Sequence, residues 1–411
     1  MYNKIELLAP AGDLEKLKTA IIYGADAVYF GGELFSLRAG AGNLSMEEIS
    51  EAMDFIHQHN KKGYMTINIY PHNCDIPLLR DYIAKVGKLP IDAFIVSDPG
   101  VIELIKELIP GAEIHLSTQA NTTNYLTANF WCKQGVSRIV TAREMSLADI
   151  KILRDNLPTE VEIESFIHGA MCISYSGRCL LSNFMAGRDA NQGACTHPCR
   201  WKYALVEQQR PGEYYPIEED EHGSYILNSR DLCMIDHIPE LVEAGVTSFK
   251  IEGRMKSMYY VATIVSAYRA ALDAYLANPQ EYRYDEKYFA ELCKASHREF
   301  THGFYFNKPT DKDQNYLTSD YTRDYSFVGL VKQPDDGNGY TIVEQRNKFS
   351  VGDTIEIFGP YTEFYEEVIT DMNDEEGTKI ESAPHPQQIL KIKFNRVPDK
   401  DFILRKKKEL V

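Results

Sequence analysis

The segment Ile5–Gly32, IELLAPAGDLEKLKTAIIYGADAVYFGG, contains the unit from which the fold can be read. Two short apolar runs, Ile5–Ala9 and Ala27–Phe30, flank Leu14–Tyr23, where apolar residues recur at helical spacing. Strand, helix and strand in succession predict a βα unit of a parallel sheet. The same alternation continues through Gly63–Asn68, Ala93–Ser97, Glu113–Ser117, Arg138–Thr141, Val161–Phe166 and Ser248–Glu252, which brings the strands to eight. Helical segments lie between them, among them Met46–Gln58, Ile76–Val86, Val101–Leu108 and Leu147–Leu153, and Met258–Leu276 follows the last strand. Asp or Ser caps open several of these helices. Eight units predict an α/β fold, a (β/α)8 TIM-like barrel over residues 1–324, whose chemistry belongs at the C-terminal ends of the strands.

Polar residues read off those ends are Glu33, Asn68, Asp98, Gln119, Arg143, Glu164, His168, Glu252 and Arg254. Glu33 and Asp98 also suit helix caps, and Arg143 suits pairing with a carboxylate. Arg143 and Arg254 together could hold an anionic substrate, because a guanidinium fork matches carboxylate geometry. Glu164 or His168 could serve as acid or base.

After the seventh strand the next clear helix, Met234–Ala244, is far away, so an insertion at about 169–233 sits on the catalytic face. It contains Cys172, Cys179, Cys195 and Cys199, four of eight cysteines. The cluster of thiols suits a soft metal, either zinc or an iron–sulfur cluster, and a site without metal stays open. The spacing is not that of two CxxC knuckles. Cys233, at the far end of the insertion, is a reserve ligand or simply a core residue. Cys74, Cys132 and Cys293 stand alone and read as buried structural thiols. Ser174 and Ser176 lie near His168, yet no nucleophile elbow and no HExxH motif occurs.

Beyond Asp324 the texture changes to YSFVGLV, YTIVEQ, DTIEIFG, EEVIT, TKIES and ILKIKF, separated by turns such as DDGNG. This predicts a small all-β barrel domain over 325–411. The composition is 44% hydrophobic and 25% charged, with no run near the roughly 20 apolar residues of a membrane span, so a soluble protein with no membrane partner is expected. The N-terminus has no signal-peptide pattern, which predicts a cytoplasmic location where cysteines stay reduced. A net charge of −16 argues against nonspecific coating of nucleic acid and leaves a local basic surface as the alternative. Arg405–Lys408 is one candidate for it, or a solvated tail; Arg200 and Lys202 are another.

The stretches Glu6–Gly32, Glu164–Trp201 (ESFIHGAMCISYSGRCLLSNFMAGRDANQGACTHPCRW), Asn228–Ser257 (NSRDLCMIDHIPELVEAGVTSFKIEGRMKS) and Ser296–Phe306 (SHREFTHGFYF) closely resemble the collagenase-like peptidase family U32. Within it they resemble the bacterial branch associated with tRNA wobble-uridine hydroxylation. The resemblance implies prephenate-dependent formation of 5-hydroxyuridine in tRNA, with an iron–sulfur cluster of the [4Fe-4S] type. It implies ligands at Cys172, Cys179 and Cys195, with Cys199 favoured over Cys233 as the fourth. It also implies work beside a paralogous subunit. The family's older label gives the alternative of a metal-dependent, collagenase-like peptidase.

Overall fold

The computed structural model describes residues 5–37, 42–172, 179–201, 204–205, 215–216, 230–307 and 321–408. The first strands are β1 (Glu6–Pro10), β2 (Ala27–Gly31), β3 (Lys62–Ile67), β4 (Ala93–Val96), β5 (Ile114–Leu116), β6 (Arg138–Val140) and β7 (Glu162–Ala170). They are followed by the short hairpin β8 (Ala204–Leu205) and β9 (Tyr215–Pro216), then β10 (Asp231–Cys233) and β11 (Ser248–Ile251). Strands β1 to β7 pair in order and in parallel, and β11 joins β7 to β1, closing an eight-stranded barrel. The expected α/β barrel is therefore what forms.

Helices α1 (Leu14–Ile22), α2 (Met46–Gln58), α3 (Ile76–Val86), α4 (Pro99–Leu108), α5 (Tyr125–Lys133) and α6 (Leu147–Asp155) fill the connections. Their starts are chemically set. Asp13 accepts the Lys16 N–H at 2.9 Å, Asp98 accepts the Val101 N–H at 3.1 Å, and Ser45 forms a capping box with Glu48. No described helix is long and apolar enough to cross a membrane.

The insertion carries α7 (Leu181–Ala186) and returns along β10, which pairs antiparallel with the upper end of β7, Asp231 opposite Ala170. Helix α8 spans Ile238–Glu243, later than expected, because β10 and a turn occupy the preceding residues. Helix α9 (Met258–Ala277) packs against α1 and α10 (Glu286–Leu292), and β12 (Phe300–Thr301) adds to β10.

The C-terminal strands are β13 (Tyr325–Gln333), β14 (Thr341–Gln345), β15 (Phe349–Ser350), β16 (Thr354–Phe358), β17 (Tyr365–Val368), β18 (Met372–Asn373), β19 (Ser382–Ala383), β20 (Ile389–Ile392) and β21 (Ile403–Lys407). Seven of them form an antiparallel sheet in the order β17-β16-β21-β13-β14-β20-β18. The basic run Arg405–Lys408 divides: Lys407 and Lys408 are exposed, whereas Arg405 and Lys406 are taken up by the sheet. Arg405 lies fully buried in β21, where Nε donates to Glu356 at 2.8 Å and Nη2 to Glu291 of α10 at 2.9 Å. Lys406 pairs with Asp353 at 2.6 Å. Opposite charges on two elements thus hold the sheet to the barrel, and Leu330, Phe358 and Ile403 join the barrel's buried apolar cluster.

The barrel interior is charged at its N-terminal end. Fully buried Arg138 donates from Nη1 to Glu6 at 2.6 Å and to Glu164 at 3.2 Å, and from Nε to Glu162 at 2.7 Å. Lys250 donates to the other oxygen of Glu164 at 2.6 Å. Burial alone raises the carboxyls of Glu6 and Glu164, but Arg138 beside Glu6, and Lys250 with Arg138 beside Glu164, hold both below the usual carboxylate range. Because their folded values are depressed, the stability they contribute is present above the ordinary carboxyl range near 4.5. It is lost as pH falls through the lower folded values. Glu164→Gln is expected to cost about 3–5 kcal/mol by leaving buried cations uncompensated. The check is the urea midpoint against pH: the variant should be less stable at neutral pH and lose less on acidification than the parent.

Candidate functional site

The C-terminal ends of the strands bring three expected residues together. Arg143, three residues past β6, donates from Nη2 to Glu252 at 2.9 Å and from Nη1 to the Cys172 Sγ at 3.4 Å. Its guanidinium lies 4.1 Å from the centre of the Phe166 ring. Both charged side chains are nearly buried, whereas Cys172 is exposed. Arg143 Nε is buried and has no hydrogen-bond partner among the described residues. Gln119, buried on the neighbouring strand end, likewise leaves its Oε1 unpaired. A buried donor and a buried acceptor without partners thus lie on neighbouring strand ends, the donor on the arginine that touches the Cys172 thiol.

Arg254 is occupied differently from the expected anion clamp. Its Nη1 donates to Ser36 Oγ at 2.8 Å and to the Leu37 carbonyl at 2.7 Å, and its Nη2 donates to Asn43 Oδ1 at 2.5 Å. It passes so close to Gly31 that a Cβ there would meet Nη2 at 2.1 Å. Arg254 thus ties the β2–α2 connection to the end of β11. Asn68 takes part in the same tie by accepting the Leu37 N–H at 3.1 Å. Glu33 is exposed, and Asp98 is the α4 cap.

Glu164 and His168 are not at the mouth, and the length of β7 explains both. The strand runs on to Ala170 instead of ending at Phe166, so Glu164 falls in the buried ion network at the opposite end. The pairing of β7 with β11 shifts register between Lys250 and Ile251, which breaks the alternation of faces. His168 consequently packs among Tyr260, Tyr268 and Phe300, with Nδ1 3.5 Å from the Tyr268 hydroxyl. Burial, with nothing adequate to offset it, lowers its imidazole to about 3, so it is neutral at physiological pH.

Of the cysteines, Cys179, Cys195 and Cys199 are half-buried. The Cys195 Sγ accepts the His197 N–H at 3.4 Å. Ser182 of α7 accepts the Thr196 N–H at 3.1 Å, which links α7 to the segment bearing Cys195. Cys233 is 3% exposed, within the apolar core, with Sγ 3.8 Å from the Tyr268 hydroxyl. Burial pushes its thiol up to about 12. Cys74 is exposed and Cys132 and Cys293 are half-buried, so none of the three is the fully buried thiol expected. Ser174, Ser176 and Lys202 lie outside the described residues.

Two residues not singled out from the sequence anchor the insertion. Tyr70, just past β3, donates from its hydroxyl to the Gln119 carbonyl at 2.5 Å, and Gln192 donates to the Tyr70 carbonyl at 2.5 Å. Strands β3 and β7 stand on opposite sides of the barrel, so the insertion that leaves β7 reaches across the mouth. The polar turn ANQG, Ala190–Gly193, is the one local signal that could have pointed to this contact.

Residues 12–315 match the model of peptidase family U32, and residues 323–405 match that of the peptidase family U32 C-terminal domain. The chain is 41% identical over 406 residues to tRNA hydroxylation protein P1 of Bacillus subtilis, covering 99% of this chain and 96% of the relative. It is 39% identical to tRNA hydroxylation protein P of Escherichia coli, covering 87% and 86%. It is also 32% identical to a collagenase of Porphyromonas gingivalis, covering 94% of each. Over nearly its whole length, therefore, the chain belongs to peptidase family U32.

Proposed function

We propose that this protein is a tRNA-modifying enzyme that hydroxylates the wobble uridine to 5-hydroxyuridine, with a prephenate-like anion as co-substrate and a [4Fe-4S] cluster on Cys172, Cys179, Cys195 and Cys199. The similarity to tRNA hydroxylation proteins over nearly the whole chain carries the reading. The donor set suits the cluster. Its ligands are soft thiols, and N–H groups of Arg143 and His197 already point at two of the sulfurs. When bound, such a cluster supplies redox chemistry that no side chain performs. Cys199 is the better fourth ligand because Cys233 is sealed in the core with a raised thiol.

The chain's own residues have separate tasks. Arg143, braced by Glu252 and Phe166, turns its buried Nε to an anionic oxygen of the co-substrate. Tyr70 and Gln192 hold the insertion over the mouth, and Arg254 holds the β2–α2 connection. Phe184 and Trp201, both exposed on the insertion, offer ring faces to unstacked bases. The net charge of −16 leaves a need for cationic surface that a paralogous subunit could meet.

The similarity to a collagenase keeps a peptidase as the second reading. The burial of Glu164 between Arg138 and Lys250 stands against using it as a base on water. Hydrolysis of gelatin by purified protein, lost on Glu252→Gln with metal retained, would favour the peptidase.

Three outcomes are expected. Mass spectrometry of tRNA from a deletion strain should show loss of 5-hydroxyuridine-derived nucleosides, restored by the parent gene and not by Cys172→Ser; unchanged nucleosides would refute the assignment. Anaerobically purified protein should be brown and contain iron and sulfide; Cys199→Ser should lose them while Cys233→Ser keeps them, and a colourless zinc protein would overturn the cluster. Arg143→Gln should lower kcat/KM for the anionic donor about 30-fold, corresponding to a charge-assisted contact of about 2 kcal/mol.

A further inference from the structure

Away from the cysteines, two short strands bring together a second group of metal-binding side chains. β10 and β12 pair in parallel, with Asp231 opposite Phe300 and Leu232 opposite Thr301. The turn after β10 presents Asp236 and His237, and the residue after β12 is His302. The Asp236 Oδ2 lies 3.2 Å from His302 Nε2 and 3.6 Å from His237 Nε2. One ligand atom from each of the three residues falls within 4.8 Å of the others. An ion bound tetrahedrally at about 2.0–2.1 Å sets its ligand atoms at a spacing of roughly 3.3 Å, which these distances approach.

The surroundings are those of a metal site. Glu240, in the first turn of α8, lies 2.9 Å from His237 Nδ1. A carboxylate there accepts a hydrogen bond from Nδ1–H, fixes the tautomer and leaves the Nε2 lone pair facing Asp236 and His302. The Phe306 ring packs 4.4 Å from the His237 ring and 5.6 Å from the His302 ring, restricting their rotation. The side chains of Asp236, His237 and His302 are 34%, 25% and 44% exposed, so an ion can enter and a water can complete its shell. Two imidazoles and one carboxylate are borderline donors that favour zinc and its first-row neighbours over magnesium or calcium.

We infer that Asp236, His237 and His302, with Glu240 behind His237, form a binding site for one zinc-class divalent transition-metal ion on the flank of the barrel, sharing no ligand with the cysteine cluster. The ion would clasp the segment after β12 to the turn after β10. It would thereby brace β10, the strand paired with the end of β7, against β12.

The test uses the intact protein and zinc alone. Purified protein, stripped by a chelator too weak to extract cluster iron, is titrated with Zn2+ against a chromophoric competitor and studied by X-ray absorption at the zinc edge. One equivalent should bind, with imidazole scattering and no sulfur shell, and should raise Tm. His302→Ala should weaken binding at least about 100-fold. Glu240→Gln, which leaves the ligands and the fold in place, should weaken it about 10-fold. A sulfur shell, no zinc retained by the parent protein, or equal affinity in parent and both variants would overturn the inference.

Discussion

The ion network at the N-terminal end of the barrel constrains the rest of the molecule. Glu6, Glu162 and Glu164 surround one buried guanidinium, that of Arg138, and Lys250 takes the second oxygen of Glu164. Burying such charges is costly unless every partner is in place, so the network favours the closed barrel in which β1, β6, β7 and β11 meet at one level. Lys250 also lies 4.3 Å from the Tyr29 ring and 5.5 Å from the Phe166 ring, and Arg143 packs against that same Phe166. One aromatic ring therefore connects the structural charge network to the mouth, and the position of Arg143 depends on packing that begins in the core.

The mouth is assembled from parts that no single βα unit supplies. Arg143 comes from the end of β6, Glu252 from the end of β11 and Cys172 from the start of the insertion. The insertion is fastened on the far side by Tyr70, and the β2–α2 connection by Arg254. Each fastening is a hydrogen bond to backbone carbonyl or side-chain oxygen, which fixes a loop's course without needing an apolar core beneath it. Arg405 plays the corresponding role between the C-terminal sheet and α10. Two arginines that read as ligand-binding or solvated residues are in fact buried connectors.

The barrel, its eight strands and most helix starts were legible in the sequence because they rest on local periodicity and capping chemistry. Asp13, Ser45 and Asp98 act within three residues of themselves. The cysteine-bearing insertion was legible too, since a long gap between βα units is itself a sequence signal. The short strands β10 and β12 were not, because two or three residues carry no period, and their partners are distant in sequence: β10 pairs with the end of β7, and β12 with β10.

What the sequence by itself determined is the order of the elements and the identity of the chemically able residues. The tertiary structure decided which of them face the mouth. Extension of β7 to Ala170 put Glu164 in the core, and the register shift opposite Ile251 turned His168 to α9. Cys233 was drawn against Tyr268, and Asp236, His237 and His302 were gathered from segments far apart in the chain. A residue's type is local information, but its direction depends on strand length, register and the neighbours that bury it, and those are settled only when the barrel closes.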